Sequence, residues 1–152
     1  MGRVRIAILL VVVLLTSISI TGCVDLFTRP GGTYLNQGNK LYEQGRLDEA
    51  IGKYTESIGI APGWEEPWYR RGVAYCDLGQ TERGIEDFNE AIRLCLREGE
   101  EPWDKPYYSR GLAYMELGME TEAIADFETC ISLTDDPELI EEANQQIEEL
   151  SR

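Results

Sequence analysis

Histidine is missing from the whole of the 152-residue sequence. The commonest general base and the commonest zinc ligand are therefore absent. The side chains left to do chemistry are 28 acidic residues and four cysteines. The acids follow the outward positions of helical patterns, where paired carboxylates are solvated surface rather than acid–base pairs. No glycine-rich phosphate loop follows a strand, and no strand pattern is evident. These residues predict a protein that is not an enzyme, with no cofactor, no small-molecule substrate and no resident metal. The cysteines admit one exception. Cys76 with Met115 and Met119 on a neighbouring helix would be a soft ligand set suited to Cu(I), although helical Met and Cys ordinarily pack. Cys76 and Cys95 fall at opposite ends of an antiparallel helix pair, too far apart for a bridge whose Cα atoms must lie within ~7 Å. Cys130 takes the small-residue position that Ser57 and Ala91 hold elsewhere, which packing explains.

Cys23 has a different setting. Arg3 and Arg5 precede an uncharged apolar run from Ile6 to about Leu15, shorter than the ~20 residues of a membrane span. The chain then turns small and polar before Ile20-Thr21-Gly22-Cys23. That tetrapeptide resembles the lipobox of bacterial lipoproteins, with isoleucine where leucine is usual. The resemblance implies that residues 1–22 are a signal peptide, removed after the Cys23 thiol receives a diacylglyceryl group. Residues 23–32 then form a lipidated cysteine and a short linker, with turn-forming Pro30-Gly31-Gly32. Two or more acyl chains hold a protein stably on a membrane where one does not. The implied location is outside the cytoplasm, anchored to the cell membrane or an outer membrane. All 28 acidic residues and 12 of the 14 basic ones lie beyond Gly22, leaving that part near −16. Such a balance excludes nucleic acid, which demands clustered Lys and Arg, and disfavours lying flat on anionic lipid.

The elements that position these residues come from a repeat. Three segments align without a gap, starting at Tyr34, Trp68 and Tyr107. Gly38/Gly72/Gly111, Gly45/Gly79/Gly118, Ile51/Ile85/Ile124 and Ile58/Ile92/Ile131 are identical in all three. Aromatics recur at Tyr54/Phe88/Phe127 and small residues at Ala50/Gly84/Ala123. Tyr34, Gly38 and Leu41 share one helical face, as do Ala50, Tyr54 and Ser57. Gly45, Gly79 and Gly118 stand where a helix must stop and turn. Each copy thus predicts a helix pair, with the first-helix glycine facing the small residue of the second helix. After them, Asp136-Pro137 reads as a helix N-cap and first residue, and Leu139, Ala143, Ile147 and Leu150 form one apolar stripe.

The 34-residue step between the first two copies, the early aromatic, the two glycines, the small residue and the late aromatic resemble the tetratricopeptide repeat. The third copy follows after 39 residues, and the five extra residues predict a longer last helix in copy two and then a loop carrying Trp103. The resemblance implies an all-α fold, a right-handed superhelical stack of three helix-turn-helix repeats (33–64, 65–98 and 104–136) and a capping helix over 137–152.

A second stripe runs one residue along on each first helix: Leu35, Asn39 and Tyr42; Tyr69, Val73 and Cys76; Tyr108, Leu112 and Met115. In tetratricopeptide proteins that face is a concave groove for peptide segments, so the stripe is the candidate binding site. Arg70, Lys105, Asp77 and Glu116 border it with charge. Some members of the family clamp a terminal carboxylate with five side chains. By the resemblance Asn39 and Lys105 match two of these, while Leu35, Arg70 and Ser109 replace the others. The expected function is a membrane-anchored adaptor or scaffold that binds an exported or membrane protein in envelope assembly or secretion. The alternatives are a self-associating structural protein and a thiol or soft-metal handling lipoprotein.

Overall fold

The computed structural model describes residues 29–98 and 103–152. Cys23, residues 1–22 and most of the loop before Trp103 lie outside these. Among the described residues the chain is all helical: α1 (Gly32–Glu43), α2 (Leu47–Ile60), α3 (Glu65–Asp77), α4 (Thr81–Glu98), α5 (Asp104–Glu116), α6 (Glu120–Leu133) and α7 (Pro137–Leu150). Successive helices pack on one another, and α1 also touches α3 as α3 touches α5. The result is a solenoid of three hairpins with α7 laid on α6. The helix α4 runs 18 residues against 14 in α2 and α6, so the extra sequence of copy two does lengthen its last helix.

Each hairpin turns by the same device. Gly45, Gly79 and Gly118 have φ of 73°, 69° and 71°, a left-handed conformation that side chains disfavour. In each case the glycine N–H and the next N–H bond back to the helix: Gly45 to Tyr42 O and Arg46 to Leu41 O, Gly79 to Cys76 O and Gln80 to Tyr75 O, Gly118 to Met115 O and Met119 to Tyr114 O. This is the Schellman pattern, which satisfies carbonyls that a helix end leaves bare.

The hairpins close around a ring seated on a glycine. A Cβ on Gly38 would meet the Tyr54 ring at 2.5 Å, one on Gly72 the Phe88 ring at 2.8 Å, and one on Gly111 the Phe127 ring at 2.7 Å. The first-helix glycine thus faces the aromatic residue chiefly, and not the small residue expected. In copy two the same Cβ would also lie 3.1 Å from Gly84 O. Ala50 and Ala123 are fully buried beside these rings.

Two features recur that the aligned segments did not reveal. Trp64 and Trp103 both stand at the N-cap in extended backbone, each followed three residues later by a fully buried proline, Pro67 and Pro106. Proline fits the first helical turn because its missing N–H would have had no partner there. The second feature is ionic. Arg71 forks onto Asp87 with bonds of 2.7 and 2.8 Å, and Arg110 onto Asp126 with two of 2.7 Å. Both guanidinium groups lie between rings, Trp68 and Tyr75 for Arg71, Tyr107 and Tyr114 for Arg110. Each also reaches into the preceding repeat, Arg71 to Thr55 at 2.9 Å and Arg110 to Asn89. Copy one has Gln37 and Lys53 at these positions and lacks the pair. Burial pushes the Asp87 carboxyl up in spite of its guanidinium neighbour.

The terminal helix starts as its sequence predicts, with Asp136 accepting the Glu138 N–H at 3.0 Å and Pro137 at the first position. Ala143 is fully buried with Ala123 and Phe127, and Ile147 and Leu150 pack against them.

Urea denaturation of three variants separates these roles. Gly79→Ala is expected to cost about 1 kcal/mol, a φ effect alone since nothing lies within 4 Å of the added methyl. Gly72→Ala is expected to cost about 2–3 kcal/mol because the Phe88 ring and a helix backbone must move. Arg71→Ala is expected to cost about 3 kcal/mol or more, while Arg71→Met/Asp87→Leu returns to within about 1 kcal/mol of wild type, since the loss comes from stranding a buried charge.

Candidate functional site

The first helices of the hairpins, α1, α3 and α5, line up with α7 to form a face with three cavities that share walls. The first, about 280 Å³, is lined by Asn39, Tyr42, Glu43, Tyr54, Tyr69, Arg70 and Val73. The second, about 230 Å³, has Val73, Cys76, Asp77 and Phe88 on one side and Ser109, Leu112, Ala113 and Glu116 on the other. The third, about 330 Å³, lies between Tyr69, Lys105, Tyr108 and Ser109 on one side and the α7 N-cap Asp136 with Glu138, Leu139 and Glu142 of α7 on the other. Tyr69, Val73 and Ser109 each line two of them, so the three cavities adjoin along one face as a groove.

Tyr69 organises its middle. Its ring meets Trp103 edge-on at 4.6 Å between centroids and Phe88 at 5.9 Å, and its hydroxyl lies 3.4 Å from Ser109 Oγ. Trp103 is thus a support for Tyr69 at the head of α5. Trp64 takes the same place one repeat earlier and packs on the cluster of Leu35, Ala50, Tyr54 and Ala74.

That packing corrects one expectation. Leu35, read as a groove residue, is 7 % exposed and belongs to the core, in a cluster against which Leu41, Tyr42, Ile51 and Trp64 pack. Two more change character. Tyr108 and Met115 pack against the Ala123, Phe127 and Ala143 cluster under α7, with Tyr108 still reaching the third cavity. Leu112 is 40 % exposed. Asn39, Tyr42, Tyr69, Arg70, Val73, Cys76, Lys105 and Leu112 all line the groove.

Hydrogen bonds hold several groove groups in place. The Tyr54 hydroxyl donates to Asn39 Oδ1 at 3.0 Å, and burial raises its phenol to about 12. The Tyr42 hydroxyl donates to Asp77 at 2.5 Å; burial first, and then that carboxylate, raises it to about 12. Thr81 donates to Glu116 at 3.0 Å. The Arg70 guanidinium is held by Glu66 at 2.7 Å and lies over the Tyr69 ring. Glu43, Asp77 and Glu116 occupy one repeat position on three successive first helices, a regularity present in the aligned segments and not read from them.

The chemistry open to this face is recognition. The Cys76 sulfur packs so tightly that a Cβ on Gly84 would lie 2.3 Å from it. Burial, with Glu116 and Asp77 adding to it, raises the Cys76 thiol to about 11. A protonated thiol is a poor nucleophile and a poor metal ligand. Met115 packs in the separate cluster under α7, so the structure does not join the two into a soft-ligand set. Among the described residues no group of three or more His, Cys, Asp and Glu side chains could hold a metal ion.

Known proteins bear on the same architecture. Residues 65–97 and 105–137 each match a family model described as tetratricopeptide repeat. The second and third helix pairs of this chain are tetratricopeptide repeats, and the first repeats their aligned residues. Among curated proteins, tetratricopeptide repeat protein 36 of Caenorhabditis elegans is 36% identical over 58 residues, which is 38% of this chain and 32% of that protein. The match therefore spans about a third of that relative's length. The first tetratricopeptide domain of Spaghetti (RPAP3), bound to the HSP90 peptide SRMEEVD, superposes with a TM-score of 0.70 at 27% identity, covering 81% of this chain and 94% of that one. The second such domain of human RPAP3, in complex with the HSP70 peptide SGPTIEEVD, gives 0.68 at 25% identity over 78% and 92%. The TPR2B domain of yeast Sti1 gives 0.72 at 18% identity over 80% and 95%, a likeness of fold.

The raised thiol leads to a direct check. Native Cys76 should be alkylated by iodoacetamide at pH 8 about a hundredfold more slowly than the same cysteine in urea, as a shift of two pH units in the thiol implies. Peptide mass mapping after timed quenching reads the rate at Cys76 alone.

Proposed function

We propose that this protein is a membrane-anchored adaptor that captures a segment of a partner protein in the groove of α1, α3 and α5. The observation that carries the reading is the groove itself, walled by side chains from every repeat and open where Leu112 stands exposed. Two structures of the same architecture at 25% identity or more hold peptides, which supports a peptide or protein as the occupant. The low propensity of these side chains for proton transfer or metal binding supports a role without catalysis.

The peptides in those two complexes both end in Glu-Glu-Val-Asp. The five positions that the resemblance assigns to a carboxylate clamp are poorly set for such an end here. Leu35 is buried, Arg70 is engaged by Glu66, and Ser109 lies against the Tyr69 hydroxyl. Only Asn39 and Lys105 keep their types, and the cavity of Lys105 also holds Asp136, Glu138 and Glu142. The occupant is thus a different segment from the acidic tails of those complexes.

The anchor in this reading is Cys23, lipidated and placed on the outer side of the cytoplasmic membrane or at an outer membrane. The lipobox-like Ile20-Thr21-Gly22-Cys23 supports it, and so does the acidic remainder, which keeps the domain off anionic lipid. An exported or membrane protein in envelope assembly or secretion is the corresponding partner.

Two measurements in intact cells test both halves. Cys23→Ala should move the chain out of the membrane pellet; a variant still pelleting with membrane would remove the anchor. A photo-crosslinking residue at Leu112 should trap a partner protein that the same residue at Glu128, an exposed position on α6, does not. Identical captures at both sites would move the interaction away from the groove.

A further inference from the structure

We infer that the groove selects a partner segment carrying Lys or Arg on a background of Leu and aromatic residues. This rests on the groove reading above and adds the chemistry of the occupant.

The charge of the walls and its fixation carry the inference. Glu43, Asp77 and Glu116 recur at one repeat position, so adjacent carboxylates stand about one helix spacing, roughly 10 Å, apart along the groove. Two of the three are held from the preceding repeat, Asp77 by the Tyr42 hydroxyl and Glu116 by that of Thr81. They are therefore placed before a ligand arrives, which lowers the entropy lost on binding. At the α7 end the third cavity adds Asp136, Glu138 and Glu142.

The cations on the same walls do not offset this. Arg70 is bonded to Glu66 and lies over Tyr69, and Lys105 shares its cavity with those three carboxylates. An acidic segment would bring like charges within a Debye length of several fixed carboxylates, while a basic one finds them as acceptors. Tyr42, which lines the first cavity, offers a ring for a guanidinium or ammonium group. The floor sets the rest of the preference. Val73, Phe88, Leu112 and Ala113 line the second cavity beside Asp77 and Glu116, an apolar surface that takes Leu or aromatic side chains by burial.

The test uses the full chain in nonionic detergent and two fluorescein-labelled peptides. They share Leu and Tyr at alternate positions and differ only in carrying Lys or Glu between them. The Lys peptide should bind about tenfold more tightly at low salt, with the gap narrowing as salt rises. Asp77→Asn/Glu116→Gln, which keeps hydrogen-bonding side chains on both positions, should bring the two affinities to within about threefold. If the Glu peptide binds as tightly as the Lys peptide or more so, and Leu112→Ala weakens it, the charge inference falls and the groove reading stands. If neither peptide binds, the groove reading falls and the inference with it. Light scattering that shows the mass of the chain doubling at the concentrations used, with peptide excluded, would assign the groove to a second copy and overturn the inference.

Discussion

Everything in this molecule follows from how closely two helices of a hairpin approach. A phenyl or phenol ring lies where the Cβ of any residue but glycine would stand, at Gly38 against Tyr54, Gly72 against Phe88 and Gly111 against Phe127. The ring is buried because the helix has no side chain there, and the helices sit near each other because the ring occupies that gap and little more. Dispersion contacts of this kind are weak singly and large together. Repeated three times at the same register, they fix the angle at which each first helix presents its other face. The groove is the consequence, since its walls are the sides of α1, α3 and α5 that the rings leave uncovered.

A second interaction ties one hairpin to the next. Arg71 and Arg110 each hold an aspartate within their own repeat and a polar side chain of the repeat before, while two rings enclose the guanidinium. A buried ion pair of this type contributes little net stability against apolar packing, because both charges leave water. It does penalise any register in which one partner is stranded. The tryptophans at the heads of α3 and α5 act on the same junctions, packing on the Leu35 cluster and on Tyr69. Stability in such stacks is carried between nearest neighbours, and these junctions are where this chain places its most specific contacts. Copy one has neither the ion pair nor the leading tryptophan.

The same junctions shape the groove's electrostatics. Hydroxyls of one repeat, Tyr42 and Thr81, bond to carboxylates of the next, Asp77 and Glu116. The acid of the wall is therefore part of how the repeats join and does not merely decorate the surface. Carboxylates with a bound hydroxyl keep their orientation, and burial with neighbouring acid raises the Tyr42 phenol and the Cys76 thiol, favouring the uncharged form of each. Such a face is suited to recognition.

The helix pairs, their turns and the capped start of α7 were legible in the residues. Glycine at a left-handed turn, proline in a first turn and apolar spacing of three and four are local consequences of backbone sterics, so they can be read one segment at a time. Much of the groove was legible too, because the repeat period says which positions share a face. What the period could not say is which of those positions a later part of the chain covers. Leu35 left the groove for a core cluster against which Trp64, 29 residues on, packs. Tyr108 and Met115 went under α7, and Leu112 stayed exposed. The carboxylate row and the arginine–aspartate pairs were present as aligned letters, yet only the fold gave them partners. Burial and hydrogen bonding between distant segments depend on the placement of whole helices, and that is settled by tertiary packing.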